Sequence, residues 1–201
     1  ASKDFSERNR QHLLSKSLKN IKIDFPTATY KDRLKKYESL SPVGTISNDG
    51  LSMLSVSSYN ASKHVDLLDA DDNPITLREI LDQNKGKVVY IDFWASWCAP
   101  CIKAFPAYRE LKEMYTNKPV EFIFISGDED MDRWKAAATR EGLTHSYLAL
   151  NYPDAKFYED LKLRSFPRYL IFDTNGQLAR DVAPGPSSDN IKAMIDELLK
   201  Q

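Results

Sequence analysis

Val88-Val89-Tyr90-Ile91-Asp92-Phe93-Trp94-Ala95-Ser96-Trp97-Cys98-Ala99-Pro100-Cys101 is the stretch of this 201-residue chain whose reading decides its fold. Residues 88–94 are apolar except for one acid, the pattern of a buried strand, and Lys85-Gly86-Lys87 leads into it. Cys98 and Cys101 are the two cysteines of the whole sequence, and they stand where the strand hands over to a helix. At a helix N-terminus, unpaired backbone N–H groups and the helix dipole favour a thiolate at Cys98. Cys101 follows one helical turn later, within reach of the first sulfur. This is the arrangement that disulfide chemistry requires. Two cysteines make no disulfide framework, and without a second Cys or His pair at ligand spacing they make a poor zinc site.

Outward from this stretch, the chain divides near residue 60. Residues 5–40 read as helical, with Leu14, Leu18 and Ile21 on one face and Tyr30, Leu34, Tyr37 and Leu40 at helical spacing. Asp24-Phe25-Pro26-Thr27 breaks this region in two, because the residue before a proline avoids helical geometry. From Ser41 to Ser62 the composition turns to Ser, Asn and Gly, that of a connector. Residues 1–61 are therefore expected to form an N-terminal helical extension and connector, the end of a longer N-terminal region, ahead of a domain over 62–201.

That domain alternates strand and helix. His64–Asp69 reads as a strand and residues 70–74 as a turn. Thr76 is placed to cap a helix through Gln83, with Glu79 completing a capping box. A long helix follows from Cys98 to about Tyr115, with Pro106 inside it. Val120–Ser126 reads as a second buried strand, Asp130–Glu141 as a helix closed by Gly142, and Tyr147–Leu150 as a short strand. Lys156–Leu161 is expected to be helical and Tyr169–Phe172 extended. Asn175-Gly176 is a hairpin signal leading to strand 177–182, and Ser188–Leu199 closes the chain as a helix. Together these elements describe an α/β domain, a mixed sheet with helices on both faces.

Charge and hydropathy exclude several classes. The formal net charge of −1 gives no case for nucleic acid. Residues 1–40 carry ten Lys/Arg against five Asp/Glu, which reads as a solvated helical face. No run of about 18 apolar residues spans a membrane. The opening Ala1-Ser2-Lys3-Asp4 is polar and is no signal peptide. An opening residue other than Met leaves room for an export signal or lipid anchor removed ahead of it, the one route to membrane anchoring.

The segment Asp92–Cys101 resembles the active-site segment of thioredoxin-fold oxidoreductases. Pro106 in the following helix, and Ser165-Phe166-Pro167 entering a later strand, match as well. The helix 130–141 and strand 147–150 inserted in mid-domain make the order of elements similar to the exported TlpA/ResA-like branch. The resemblance covers residues 62–201 and implies a thioredoxin-like three-layer fold and a redox-active Cys98–Cys101 disulfide, with no other cofactor and no metal. It also implies disulfide-containing protein substrates, an upstream protein electron donor, and a periplasmic or cell-envelope location.

By this resemblance Cys98 is the exposed attacking thiolate, and Cys101, further in, resolves the mixed disulfide. Pro100 in the first helical turn costs no hydrogen bond. Asp92 corresponds to a buried acid with a raised pKa that accepts the Cys101 proton through water. Pro167 corresponds to a cis-proline facing the cysteines, with the Phe166 backbone open to pair with an extended substrate. Trp97 is expected to shield the sulfur and offer an apolar contact, while Phe93 and Trp94 are core. In two places the chain departs from its relatives' pattern. Ala104 stands where ResA-like proteins commonly have a glutamate, and residues 121–126 lack the lysine that thioredoxin pairs with its acid.

These readings point to a thiol–disulfide oxidoreductase that reduces exported proteins or apocytochromes. The alternatives are a peroxiredoxin-like peroxidase, whose Pro-x-x-x-Thr/Ser-x-x-Cys setting is absent before Cys98, and a non-enzymatic redox-sensitive interaction module built on the N-terminal helices. Copper delivery through the cysteines and His145 is a further reading, disfavoured by the two-residue cysteine spacing. His12 and His64 read as surface residues.

Overall fold

The computed structural model describes residues 65–200; the expected N-terminal helices, the connector and the domain boundary near 61 lie outside the described residues. The chain runs β1 (Asp66–Leu68), β2 (Pro74–Thr76), α1 (Leu77–Gln83), β3 (Val88–Trp94), α2 (Ala99–Met114), β4 (Val120–Ser126), α3 (Met131–Glu141) and β5 (Ser146–Ala149). It then continues through α4 (Lys156–Asp160), β6 (Arg168–Phe172), β7 (Leu178–Arg180) and α5 (Asp189–Leu198). The seven strands form one sheet in the order β2-β1-β5-β4-β3-β6-β7. Strand β3 lies inside the sheet, parallel to β4 and antiparallel to β6. The β3–α2–β4 crossover is the parallel unit expected of buried apolar strands joined by a helix.

Side-chain alternation along β3 sends its residues to two cores. Val88, Tyr90 and Trp94 pack with Cys101, Phe105, Tyr108 and Leu111 of α2, Trp134 of α3, and Ile191 and Ile195 of α5. Val89, Ile91 and Phe93 pack on the opposite face with Leu77, Ile80 and Leu81 of α1 and Phe157 and Tyr158 of α4. Helices therefore cover both faces, giving the expected three layers. The cysteines belong to the first of these cores.

Local chemistry sets the element ends. The Thr76 hydroxyl accepts from the Glu79 amide at 3.2 Å, while the Glu79 carboxylate accepts from the Thr76 amide at 2.7 Å, a reciprocal capping box. Thr76→Ala is expected to destabilise the domain by about 1 kcal/mol in urea unfolding; an unchanged midpoint would mean the cap is idle. Asp130 caps α3 by accepting from the amides of Asp132 and Arg133, and Gly142 ends it at φ +70°, where a side chain would be strained. The sequence reading missed β2. Pro74, Ile75 and Thr76 pair with Leu68, Leu67 and Asp66 as an edge strand, and three residues opening on a proline carry too little pattern to distinguish them from the turn before them.

Candidate active site

The site forms where β3 ends and α2 begins. Cys98 is the N-cap of α2, and its sulfur accepts a hydrogen bond from the Cys101 amide at 3.3 Å. Cys98 and Cys101 are joined as a disulfide, with their Cα atoms 5.3 Å apart. Pro100 is the second residue of the helix, where its missing N–H interrupts no intrahelical bond. Pro106 lies within the same helix and withholds the N–H that would bond the Ile102 carbonyl.

The expectation of an exposed Cys98 needs correction. Its residue is 4 % exposed and Cys101 is fully buried. Cys98 is the less buried residue of the two, and in the disulfide state both are sheltered within the core that packs on α2. Trp97, Ala99 and Pro100 of the segment are exposed, the tryptophan at 67 %. Its ring lies 5.9 Å from that of Phe166, and Phe166 in turn lies 5.2 Å from Tyr152.

Phe166 and Pro167 reach the site because β6 pairs with β3. Arg168 stands opposite Phe93, so the residues just before β6 lie beside the end of β3. The Phe166-Pro167 bond is cis, as is Tyr152-Pro153. Gly127, just after β4, makes room for the Phe166 ring: a Cβ at that position would overlap Phe166 Cζ.

Asp92 projects from β3 into the core that holds the cysteines, since it shares a face with Tyr90 and Trp94. It is fully buried, and neither carboxyl oxygen finds a hydrogen-bond partner among the described residues. Removal from water raises its pKa well above the usual carboxylate value, and the nearby Tyr108 hydroxyl offsets part of that rise. Tyr90, Tyr108 and Tyr169 surround it, their ring centroids 5.6 to 6.3 Å apart. Burial and the Asp92 charge keep all three hydroxyls protonated far above neutral pH. The Tyr90 hydroxyl donates to the Pro184 carbonyl at 2.5 Å, whereas the buried Tyr108 hydroxyl has no hydrogen-bond partner among the described residues.

His145 does not join the cysteines. Its Nδ1 lies 2.7 Å from a Glu121 oxygen, and Lys87 donates to the other oxygen at 2.9 Å. Burial acts to raise the Glu121 pKa, but the bonds and charges of His145 and Lys87 prevail and hold it at about 2. Glu121 is at the start of β4, opposite Val89, whereas the cysteines follow the other end of that strand pair. Among the described residues, the copper reading therefore has no histidine beside the cysteines.

The sequence reading also missed Asp128. This buried carboxylate accepts from the Ser96 amide at 2.8 Å, the Ser96 hydroxyl at 2.7 Å and the Ser126 hydroxyl at 2.6 Å. A signal existed: Ser126-Gly127-Asp128 is a short polar run at the carboxyl end of a parallel strand, where open α/β sheets gather functional residues.

The comparisons with known proteins agree with this geometry. A family model described as Redoxin matches residues 47–195. The thiol-disulfide oxidoreductase ResA of Bacillus anthracis is 39% identical over 130 residues, spanning 65% of this chain and 72% of that protein. ResA of Geobacillus thermodenitrificans is 25% identical over 123 residues, 59% of this chain and 67% of that one. Among solved structures, a Bacteroides vulgatus protein described as a candidate thiol-disulfide oxidoreductase superposes with a TM-score of 0.57 at 31% identity, over 67% of this chain and 91% of that one.

Proposed function

Because the chain belongs to the Redoxin family, within its thioredoxin-like ResA branch, we propose that this thiol–disulfide oxidoreductase reduces disulfides of exported proteins or apocytochromes, with Cys98 attacking and Cys101 resolving. The observation that carries the assignment of roles is the Cys98 sulfur at the head of α2, accepting the Cys101 amide and lying outside Cys101. An anionic sulfur at that position gains from the amide and the helix dipole, and an inner sulfur does not.

In the dithiol state the Cys98 thiolate attacks one sulfur of a substrate disulfide. A mixed disulfide forms and the other substrate sulfur leaves as a thiolate. Cys101 then gives its proton through water to ionised Asp92 and attacks the Cys98 sulfur. The Cys98–Cys101 disulfide closes and the second substrate sulfur leaves. Two electrons pass to the substrate, both leaving thiolates take up protons, and an upstream protein dithiol must restore the pair.

Trp97, Pro100, Phe166 and Pro167 form the substrate-contacting surface in this reading, with the Phe166 backbone pairing with an extended segment. Residues 62–201 act as the catalytic domain and 1–61 as an extension to it. The periplasmic or cell-envelope location follows from the TlpA/ResA resemblance. Equilibration of the cysteine pair against a glutathione buffer tests the direction. A potential near that of thioredoxin, about −270 mV, is expected of a reductase; a value near the about −120 mV of DsbA would overturn it.

A further inference from the structure

Four residues separate the end of β3 from α2: Ala95, Ser96, Trp97 and the N-cap Cys98, a turn closed by the Cys98 amide donating to the Ala95 carbonyl at 3.0 Å. That turn carries the exposed tryptophan and delivers the outer sulfur, yet none of its own hydrogen bonds fixes Ser96. The fixing comes from the neighbouring strand. Ser126 is in register with Trp94 at the parallel β3–β4 pair, so the two strand ends emerge side by side. Gly127 donates to the Trp94 carbonyl at 2.9 Å, extending the ladder by one bond. Asp128 then turns its carboxylate onto Ser96, one oxygen to the amide and the other to the hydroxyl.

We propose that Asp128 is a positioning residue of this oxidoreductase: by gripping Ser96 through two hydrogen bonds it holds the turn that sets Trp97 against Phe166 and Cys98 at the head of α2. The proposal rests on the thiol–disulfide reading of the cysteine pair. The grip is two-point, so it fixes both the place and the orientation of the Ser96 peptide. It is also supported from behind, because the Ser126 hydroxyl donates to the same carboxylate and accepts from the Asp128 amide at 3.0 Å. All the donors to Asp128 are neutral, an amide and two hydroxyls, and bonds of this charge-assisted kind are the stronger ones in a buried setting. A four-residue connection without the grip keeps its chain ends but loses a fixed path between them. A misplaced nucleophile is costly even over small distances.

The test compares Asp128→Ala, Asp128→Asn, Asp128→Leu and Ser96→Ala with wild type in insulin reduction driven by dithiothreitol, together with hydrogen exchange of the Ser96 amide. Asp128→Ala is expected to lower kcat/KM about tenfold and to speed Ser96 exchange by a similar factor, while Ile123 in β4 stays protected. Ser96→Ala, which keeps the amide bond, falls about threefold. Asp128→Asn retains an acceptor oxygen for the amide and recovers most of the rate, whereas Asp128→Leu, which keeps the bulk but offers no acceptor, stays as slow as the Ala variant and so separates the grip from space filling. Should Asp128→Ala fail to fold, Asp128→Asn and Ser96→Ala carry the test. An active wild type with unimpaired Asp128→Ala or Ser96→Ala, or an Asn variant no better than the Ala or Leu variant, overturns the positioning role alone. A wild type that does not reduce insulin overturns the oxidoreductase reading and the role together.

Discussion

Cys98→Ser abolishes insulin reduction, by a factor expected to exceed about 1,000, and no mixed disulfide with substrate accumulates. A hydroxyl in place of the thiol is not appreciably ionised at neutral pH, and the helix N-terminus that favours a thiolate cannot make up the difference. Cys101→Ser behaves differently. Its Cys98 still attacks, but nothing resolves the product, so a covalent adduct with substrate builds up and is released by dithiothreitol. Mass spectrometry of each variant after mixing with oxidised insulin separates the two outcomes. Adduct on Cys98→Ser and none on Cys101→Ser would exchange the roles of the two sulfurs. The order expected here follows from the burial sequence, Cys98 outside and Cys101 within, and from the amide that Cys101 aims back at Cys98.

Asp92→Asn is expected to stabilise the protein at neutral pH and to slow its turnover. The folded state raises the pKa of this acid through burial, so between the unfolded value of about 4 and the higher folded value the native state holds the extra proton. Stability is then greatest at and below about pH 4 and falls as pH rises through that window, by about 1.4 kcal/mol per pH unit at the steepest. The asparagine variant lacks this slope. Urea unfolding from pH 4.5 to 7.5 should show the two proteins converging at the acid end and the variant ahead at the neutral end. Parallel pH profiles would mean that Asp92 ionises at its ordinary value. The rate follows the opposite sign. With no ionised fraction of Asp92 to take the Cys101 proton, resolution of the mixed disulfide slows about tenfold at pH 7, and the loss shrinks as rising pH ionises Cys101 directly.

Much of this was legible before the structure because it is local. The capping box at Thr76, the strands 88–94 and 120–126, the closure of α3 at Gly142 and the hairpin at Asn175-Gly176 each follow from a few neighbouring residues. The cysteine pair is likewise a local signal. What escaped depends on partners far along the chain. Tyr90, Tyr108 and Tyr169 come from β3, α2 and β6, and nothing in their separate surroundings announces that they enclose one acid. The sequence lacks the lysine expected beside that acid, and the structure supplies phenol hydroxyls in that neighbourhood instead. Asp128 reads in the sequence as one of several acids before α3; its burial and its hold on Ser96 follow from the parallel register of β3 and β4. The sheltered Cys98 was missed for a related reason, since periodicity reports which face a residue takes but not how deeply a capping side chain is covered.

Gly127 gives the entrance of the site a gauge. The Phe166 ring occupies the volume that any side chain at 127 would need, and the same ring touches Trp97. Bulk added behind Phe166 has to be passed forward into that aromatic pair. The size of a residue one step removed from the sulfurs thus sets an aperture, and a glycine there is the widest stop the backbone allows.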